Sequence, residues 1–254
     1  MTAKRSKAPR FYFNFRSPYS WIAYRDLMDR YPDLAQVVEW HPWWEPDADG
    51  ERRMAQHRRR FPYTAMSRDK HLYILQDVRR LTADRGLAVT WPVDLDPVWE
   101  VPHLPYFRAL DAGRGPAYIE RVYRARWLEG RDVCDRATIA AIATELGLPA
   151  DPMAGAADDD GLRGGRGLQA LLALSDDGAF GVPFFTHGYE KFWGVDRLSV
   201  FAEVVRSRSA SGSGPEPRSG SGTRSRDTPP PEPPAGTDFA VTRSGDQGHA
   251  GGCG

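Results

Sequence analysis

The chain has 254 residues, of which 41% are hydrophobic, 27% charged and 11% aromatic, enough for one core with an insertion or two small domains and incompatible with a fibrous or fully disordered protein. Its 34 basic residues are balanced by 34 acidic ones, so no overall positive field serves the many phosphate contacts that nucleic acid demands. There is no run of about 18 apolar residues, and the basic opening MTAKRSKAPR leads into FYFNF, too short for the apolar core of a secretion signal; a cytoplasmic protein without nucleic-acid or membrane partners is expected.

Residues 11–15, FYFNF, are aromatic and β-prone and predict a first strand. Ser17-Pro18 follows, the pairing of a helix cap with the first helical position. Trp21, Ile22, Tyr24, Leu27 and Met28 then recur at helical spacing as far as Tyr31-Pro32. QVVEWHPW (36–43) reads as a second strand, and the helix between the two predicts a parallel, right-handed crossover. From about residue 64 to 176 the pattern is helical, over 67–86, 116–130, 136–147 and 167–178, with glycines at the stops. Short strands return in GVPFFTHG (181–188) and YEKFWG (189–194), joined as a hairpin around His187-Gly188, and DRLSVFAEVV (196–205) predicts a closing helix. From Arg206 onward the chain is dense in Gly, Ser and Pro and almost free of large apolar residues, which predicts a disordered tail. The order is that of an α/β, thioredoxin-type sheet carrying a large inserted helical domain. Residues 10–62 and 178–205 make the sheet domain, 63–177 the insert and 206–254 the tail.

Several chemistries lack their residues. Cys134 and Cys253 are far apart, so neither a structural disulfide nor a Cys-x-x-Cys metal site has material to be built from. His41, His57, His71, His103 and His187 lack the paired spacing of a zinc motif, and no Gly-x-Ser-x-Gly elbow exists. No metal is therefore expected.

Four blocks in order, at 11–24, 70–81, 124–135 and 178–198, resemble the 2-hydroxychromene-2-carboxylate isomerase and kappa-class glutathione transferase family, a branch of the DsbA-like thioredoxin fold. The resemblance covers residues 11 to about 205. It implies that the reactive sulfur comes from glutathione or another low-molecular-weight thiol and that the partner is a small-molecule substrate; family members are commonly homodimers.

In a thioredoxin fold the loop after the first strand delivers a reactive group to a helix N-terminus, where unpaired N–H groups and the macrodipole favour negative charge. Here that loop reads Ser17-Pro18-Tyr19-Ser20, which holds no dithiol, so disulfide exchange at this position is excluded. The same seat lowers a thiol pKa from about 8.5 into the range of roughly 3.5–7.5. A serine hydroxyl has one donor and two acceptor lone pairs, so Ser17 can donate to a thiolate while still capping the helix. By the resemblance Ser17 is the catalytic residue, and Ser17, Pro18 and Tyr19 belong to the cofactor site; capping alone would also place Ser before Pro.

The resemblance further implies a cis peptide bond before Pro183, leaving the backbone of Val182 to pair with a bound tripeptide as an added strand. It places Val195, Asp196 and Arg197 at the γ-glutamyl end, with the Asp196 carboxylate meeting the ammonium. It sets Lys70 on the opposite wall, where it would neutralise a substrate carboxylate. Two departures stand out. Val195 occupies a position that is commonly polar, and the segment from Trp44 to Tyr63 contains no asparagine, although relatives use one there to contact the thiol. The favoured expectation is a glutathione-dependent isomerase of an aromatic or polyketide-like unsaturated compound. A kappa-class-like transferase or peroxidase, or a binding module without redox activity, are the alternatives.

Overall fold

The computed structural model describes residues 8–62 and 65–211. Strand β1 (Arg10–Phe13) lies in the middle of a mixed sheet: it pairs in parallel with β2 (Glu39–Pro42) and antiparallel with β3 (Phe184–His187), which in turn pairs with β4 (Glu190–Trp193), giving the order β2-β1-β3-β4. A central strand is covered on both faces and therefore reads as a continuous apolar run. Phe11 stacks on Phe185 at 4.8 Å, and Phe185 packs at a tilt against Phe201 at 5.0 Å, while Tyr12 packs on the opposite face with Trp43, Leu174 and Phe184. Each fully buried ring of this kind contributes about 2–3 kcal/mol.

Helix α1 (Pro18–Arg30) and the short α2 (Pro32–Val37) make the crossover from β1 to β2. The second strand is shorter than expected because Pro32, read as a stop, also occupies the first position of a new helix that takes in Gln36 and Val37. Met28 belongs to the expected apolar face of α1 but is 42% exposed. The helical part comprises α3 (Ala48–Gln56), α4 (Arg68–Ala83), α5 (Glu100–His103), α6 (Pro105–Asp111), α7 (Gly115–Trp127), α8 (Arg136–Glu145), α9 (Ala150–Ala154), α10 (Asp160–Leu162) and α11 (Leu168–Asp177). The long ones coincide with the expected periodic segments. Helices α5 and α6 were not anticipated, since Pro97, Pro102 and Pro105 break any periodic window around them.

The last helix, α12 (Leu198–Ser211), begins with a 3₁₀ turn at Val195–Arg197. It overruns the expected boundary, so residues 206–211, assigned to the tail by composition, are helical. The cause is ionic: Arg206 grips Asp33 through two bonds of 2.8 Å, and Arg208 donates to the His187 carbonyl at 2.9 Å and pairs with Glu190. The rest of the tail, 212–254, including Cys253, lies outside the described residues. Among the described residues no helix is long and apolar enough to cross a membrane, and no group of three or more His, Cys, Asp or Glu is placed to hold a metal ion.

Candidate functional site

The chain turns out of β1 at Asn14, whose Oδ1 accepts the Arg16 N–H at 2.5 Å, an Asx turn that a short amide side chain makes readily. Helices α5 and α7 hold this loop from outside. The Phe15 N–H donates to His103 Nε2 at 3.1 Å, and His103 Nδ1 lies 2.6 Å from the Trp99 carbonyl. A carbonyl only accepts, so Nδ1 bears the proton and Nε2 is the acceptor; the ring is neutral. His103 is fully buried, and that burial holds its pKa down to about 3. Tyr123 donates to the Asn14 carbonyl at 3.2 Å.

Ser17 has extended backbone (φ −81°, ψ 120°), and its hydroxyl oxygen accepts the Ser20 N–H at 3.2 Å, with Pro18 at the first helical position. This is the helix N-cap that the residue types announce. Ser17 is 0% exposed and Pro18 is also buried. Neither lines either of the two cavities that take in their neighbours Arg16 and Tyr19.

The first cavity, about 490 Å³, has walls that include Arg16, Pro46, Phe61, Val98, Trp99 and Glu100. Arg16 pairs with Glu45 and lies 5.8 Å over the Trp99 ring. Phe61 stacks on Trp43 at 4.9 Å, and Trp43 packs in the same cluster as Val182.

The second cavity, about 620 Å³, lies between α1, α4 and the loops flanking the β3–β4 hairpin, and it gathers Tyr19, Val182, Pro183, Val195, Asp196 and Arg197. These residues come from three separate segments of the sequence. The Val182–Pro183 bond is cis, and neither backbone group of Val182 hydrogen-bonds to another described residue. Gly194, at φ 101°, makes the turn from β4 into the 195–197 turn; a Cβ there would lie 2.6 Å from Asp196 Oδ1, so only glycine lets the Asp196 carboxylate take this position without strain. The Asp196 side chain is 72% exposed, 3.5 Å from the Arg197 guanidinium.

The opposite wall comes from α4 through Tyr73, Asp77 and Leu81. Lys70 sits one turn earlier on the same stripe, half-buried but not lining the cavity. Its backbone N–H takes the Ser67 cap at 3.2 Å. The Tyr19 hydroxyl crosses from α1 to donate to Asp77 Oδ2 at 2.9 Å, while Arg80 reaches Asp77 Oδ1 at 3.2 Å. Arg85 is held by both oxygens of Asp26 at 2.9 and 2.8 Å. Tyr19→Phe removes a partly exposed hydrogen bond to a carboxylate. It is expected to cost about 1 kcal/mol and to lower the melting temperature by about 2–4 °C. A calorimetric scan showing no shift would mean that this bond does not join the two walls.

Sequence reasoning missed Asn14, Asp77, Glu100, His103 and Tyr123. Only Asn14, a turn-forming residue at a strand end, left a local signal; the others act across long separations, 88 residues for His103 with Phe15 and 109 for Tyr123 with Asn14.

The sequence matches the model of the DSBA-like thioredoxin domain over residues 10–206. A 2-hydroxychromene-2-carboxylate isomerase from Sphingobium xenophagum is 28% identical over 196 residues, which span 74% of this chain and 92% of that protein. Among solved structures, a 2-hydroxychromene-2-carboxylate isomerase superposes with a TM-score of 0.64 at 20% identity, covering 80% of this chain and 97% of that one. The cytosolic disulfide reductase DsbM from Pseudomonas aeruginosa, solved with GSH, superposes with a TM-score of 0.52 at 17% identity, covering 80% and 98%.

Proposed function

The chain belongs to the DSBA-like thioredoxin domain family, and from that premise we propose that it is a thiol-dependent isomerase of the 2-hydroxychromene-2-carboxylate isomerase type, acting on an unsaturated aromatic or polyketide-like small molecule. The observation that carries this reading is the 620 Å³ cavity in which Tyr19, Val182, Pro183, Val195, Asp196 and Arg197 meet. Its volume suits a small peptide-like ligand. The unpartnered N–H and C=O of Val182 offer the strand-like pairing that a cysteinyl backbone takes. Asp196 supplies a carboxylate at the lip for an ammonium group. The residues therefore fit a glutathione-like thiol, the kind of molecule with which the fold relative DsbM was solved.

When bound, the thiol supplies a nucleophile that adds to, and leaves from, an electron-poor double bond. The protein's part is electrostatic. The N-terminus of α1 presents its positive pole beside the cavity at Tyr19, and the Ser17 side chain, the N-cap beneath it, fixes the direction of that terminus. Because Ser17 is fully buried and does not line this cavity, it acts through the helix terminus and not by touching the thiol. The catalytic thiol is returned unchanged in each cycle, which separates this reading from a transferase that consumes it.

The test uses 2-hydroxychromene-2-carboxylate as the substrate probe, with glutathione as the thiol. The rate is expected to saturate with glutathione while the free thiol concentration stays constant. Ser17→Ala should cost about 1 kcal/mol of stability through the lost cap and lower kcat by about tenfold at most, through the loosened terminus of α1. Turnover independent of thiol, or one glutathione consumed per product, would overturn the reading.

A further inference from the structure

On the α4 wall of the 620 Å³ cavity, Tyr73, Asp77 and Leu81 recur at every fourth residue, so one stripe of the helix faces into it. Tyr19 belongs to the same lining, and its hydroxyl meets that stripe at Asp77 Oδ2, 2.9 Å away. The other carboxylate oxygen, Oδ1, accepts from Arg80 at 3.2 Å. A phenol has a single proton, and here a charged acceptor takes it. What the Tyr19 oxygen offers to the cavity is therefore its lone pairs, which accept a hydrogen bond from a ligand hydroxyl. The second carboxylate of the lining, Asp196, stands at the ammonium end of the thiol site, 72% exposed and beside Arg197. Tyr73, the second phenol, is 56% exposed and has no carboxylate partner among the described residues.

We infer that Tyr19 and Asp77 form a proton-transfer pair that opens a cyclic hemiketal, a ring in which one carbon carries both a hydroxyl and the ring oxygen. The inference rests on the isomerase reading, whose probe 2-hydroxychromene-2-carboxylate contains such a ring, and supplies the step that precedes thiol addition. In that step the O–H bond of the ligand breaks and its proton passes to the Tyr19 oxygen, while the Tyr19 proton passes to Asp77 Oδ2. The electron pair of the broken O–H bond becomes the second bond of a new carbonyl. The bond from that carbon to the ring oxygen breaks, and its pair stays on the oxygen as a phenolate. Asp77 then returns a proton through Tyr19 to the phenolate, so both residues end as they began. Nothing is oxidised or reduced. The new carbonyl is conjugated with the adjoining double bond, which gives the thiol its electron-poor carbon.

Pair and thiol act on one ligand, because Tyr19 and Asp77 line the same cavity as Val182 and Asp196. Tyr19 lies in the first turn of α1, directly after Pro18, and Asp77 lies in the middle of α4. Two helices, not loops, therefore set the distance between phenol and carboxylate, the kind of support that proton transfer needs. Tyr19 touches the ligand and is the catalytic residue of the pair. Asp77 acts only through it, holding the phenol proton toward itself and taking it up as charge moves onto the opened ring.

The experiment uses 2-hydroxychroman-2-carboxylate, the same hemiketal without the double bond, whose ring opens and closes but to which no thiol adds. Exchange between its closed and open forms is followed by NMR magnetisation transfer without thiol, and binding by titration in the same spectra. The wild type should speed the exchange well above that of the free compound. Asp77→Asn keeps an acceptor for Tyr19 but cannot take up its proton; it should bind the probe with little change in affinity and open the bound ring about 10²–10⁴-fold more slowly. Tyr19→Phe should show the same loss. Wild-type exchange no faster than that of the free compound, or a folded Asp77→Asn that exchanges as fast as the wild type, overturns the proposal. Fast exchange lost in both variants, with no isomerisation of 2-hydroxychromene-2-carboxylate by the wild type, leaves the pair standing and removes the isomerase reading. Glutathione-dependent isomerisation with chroman exchange indifferent to Asp77 keeps that reading and removes the pair.

Discussion

Acidification from pH 6.5 is expected to destabilise the protein by about 1.4 kcal/mol per pH unit through His103 alone. The sign follows from the proton count. In the unfolded chain a histidine takes up its proton near pH 6.5, whereas in the fold the buried His103 ring resists protonation down to about 3. Between these values the unfolded state holds one more proton, so stability is complete above 6.5 and drains away as the pH falls toward 3. By pH 4.5 the loss amounts to roughly 3 kcal/mol, a large part of the 5–15 kcal/mol typical of a domain. His41, whose pKa is also lowered by burial, adds in the same direction.

The consequence reaches the site because a protonated ring has no acceptor. Nε2 would then present a proton to the Phe15 N–H, and the loop carrying Ser17 would lose an anchor. Urea denaturation of the wild type and of His103→Gln between pH 7 and 4.5 measures the effect. The glutamine keeps one donor and one acceptor but does not titrate, so its stability should decline with acid less steeply than the wild type. Parallel slopes would show that His103 is not the titrating group.

Asp177→Ala should cost about 3 kcal/mol, which for a chain of this size lowers the melting temperature by roughly 6–12 °C. Asp177 is buried at the end of α11 and receives two donors from β1: Arg10 Nη1 at 2.9 Å and the Tyr12 hydroxyl at 2.7 Å. Burial works against the Arg10 charge, but the hydrogen bonds it donates to Asp177 and Glu39 outweigh it and leave the Arg10 pKa raised; burial and Asp177 together raise that of Tyr12. Alanine strands a buried phenol and uncouples a guanidinium. Because Arg10 keeps 20% of its side chain in solvent, the cost belongs at the lower end of the range for broken buried pairs. Asp177→Asn, which keeps an acceptor for Tyr12, should recover part of the loss. A calorimetric loss below 1 kcal/mol for the alanine variant would mean that α11 is held to the sheet by packing alone.

How far the sequence could be read depends on how local each feature is. Ser17 and Pro18 announce the start of α1 because cap and first-turn geometry involve residues only three apart. The two-residue hairpin after His187 and the stop at Gly178, with φ 65°, are likewise carried by their own residues. The tail boundary was misread for the complementary reason: composition shows Arg206 and Arg208 as polar residues of a tail, whereas their partners Asp33 and Glu190 become neighbours only after folding.

From the chain alone came the strand–loop–helix opening, the want of any thiol in that loop and the helical stretch between the two parts of the sheet, because each is written in residues within a few positions of one another. The tertiary structure alone decided that Ser17 is sealed from solvent, that a histidine 88 residues from Phe15 props up its loop, and that Tyr19, Val182 and Asp196 meet at one cavity. These follow from which side chains close packing brings together across the sheet and the helices, and no local pattern encodes that choice.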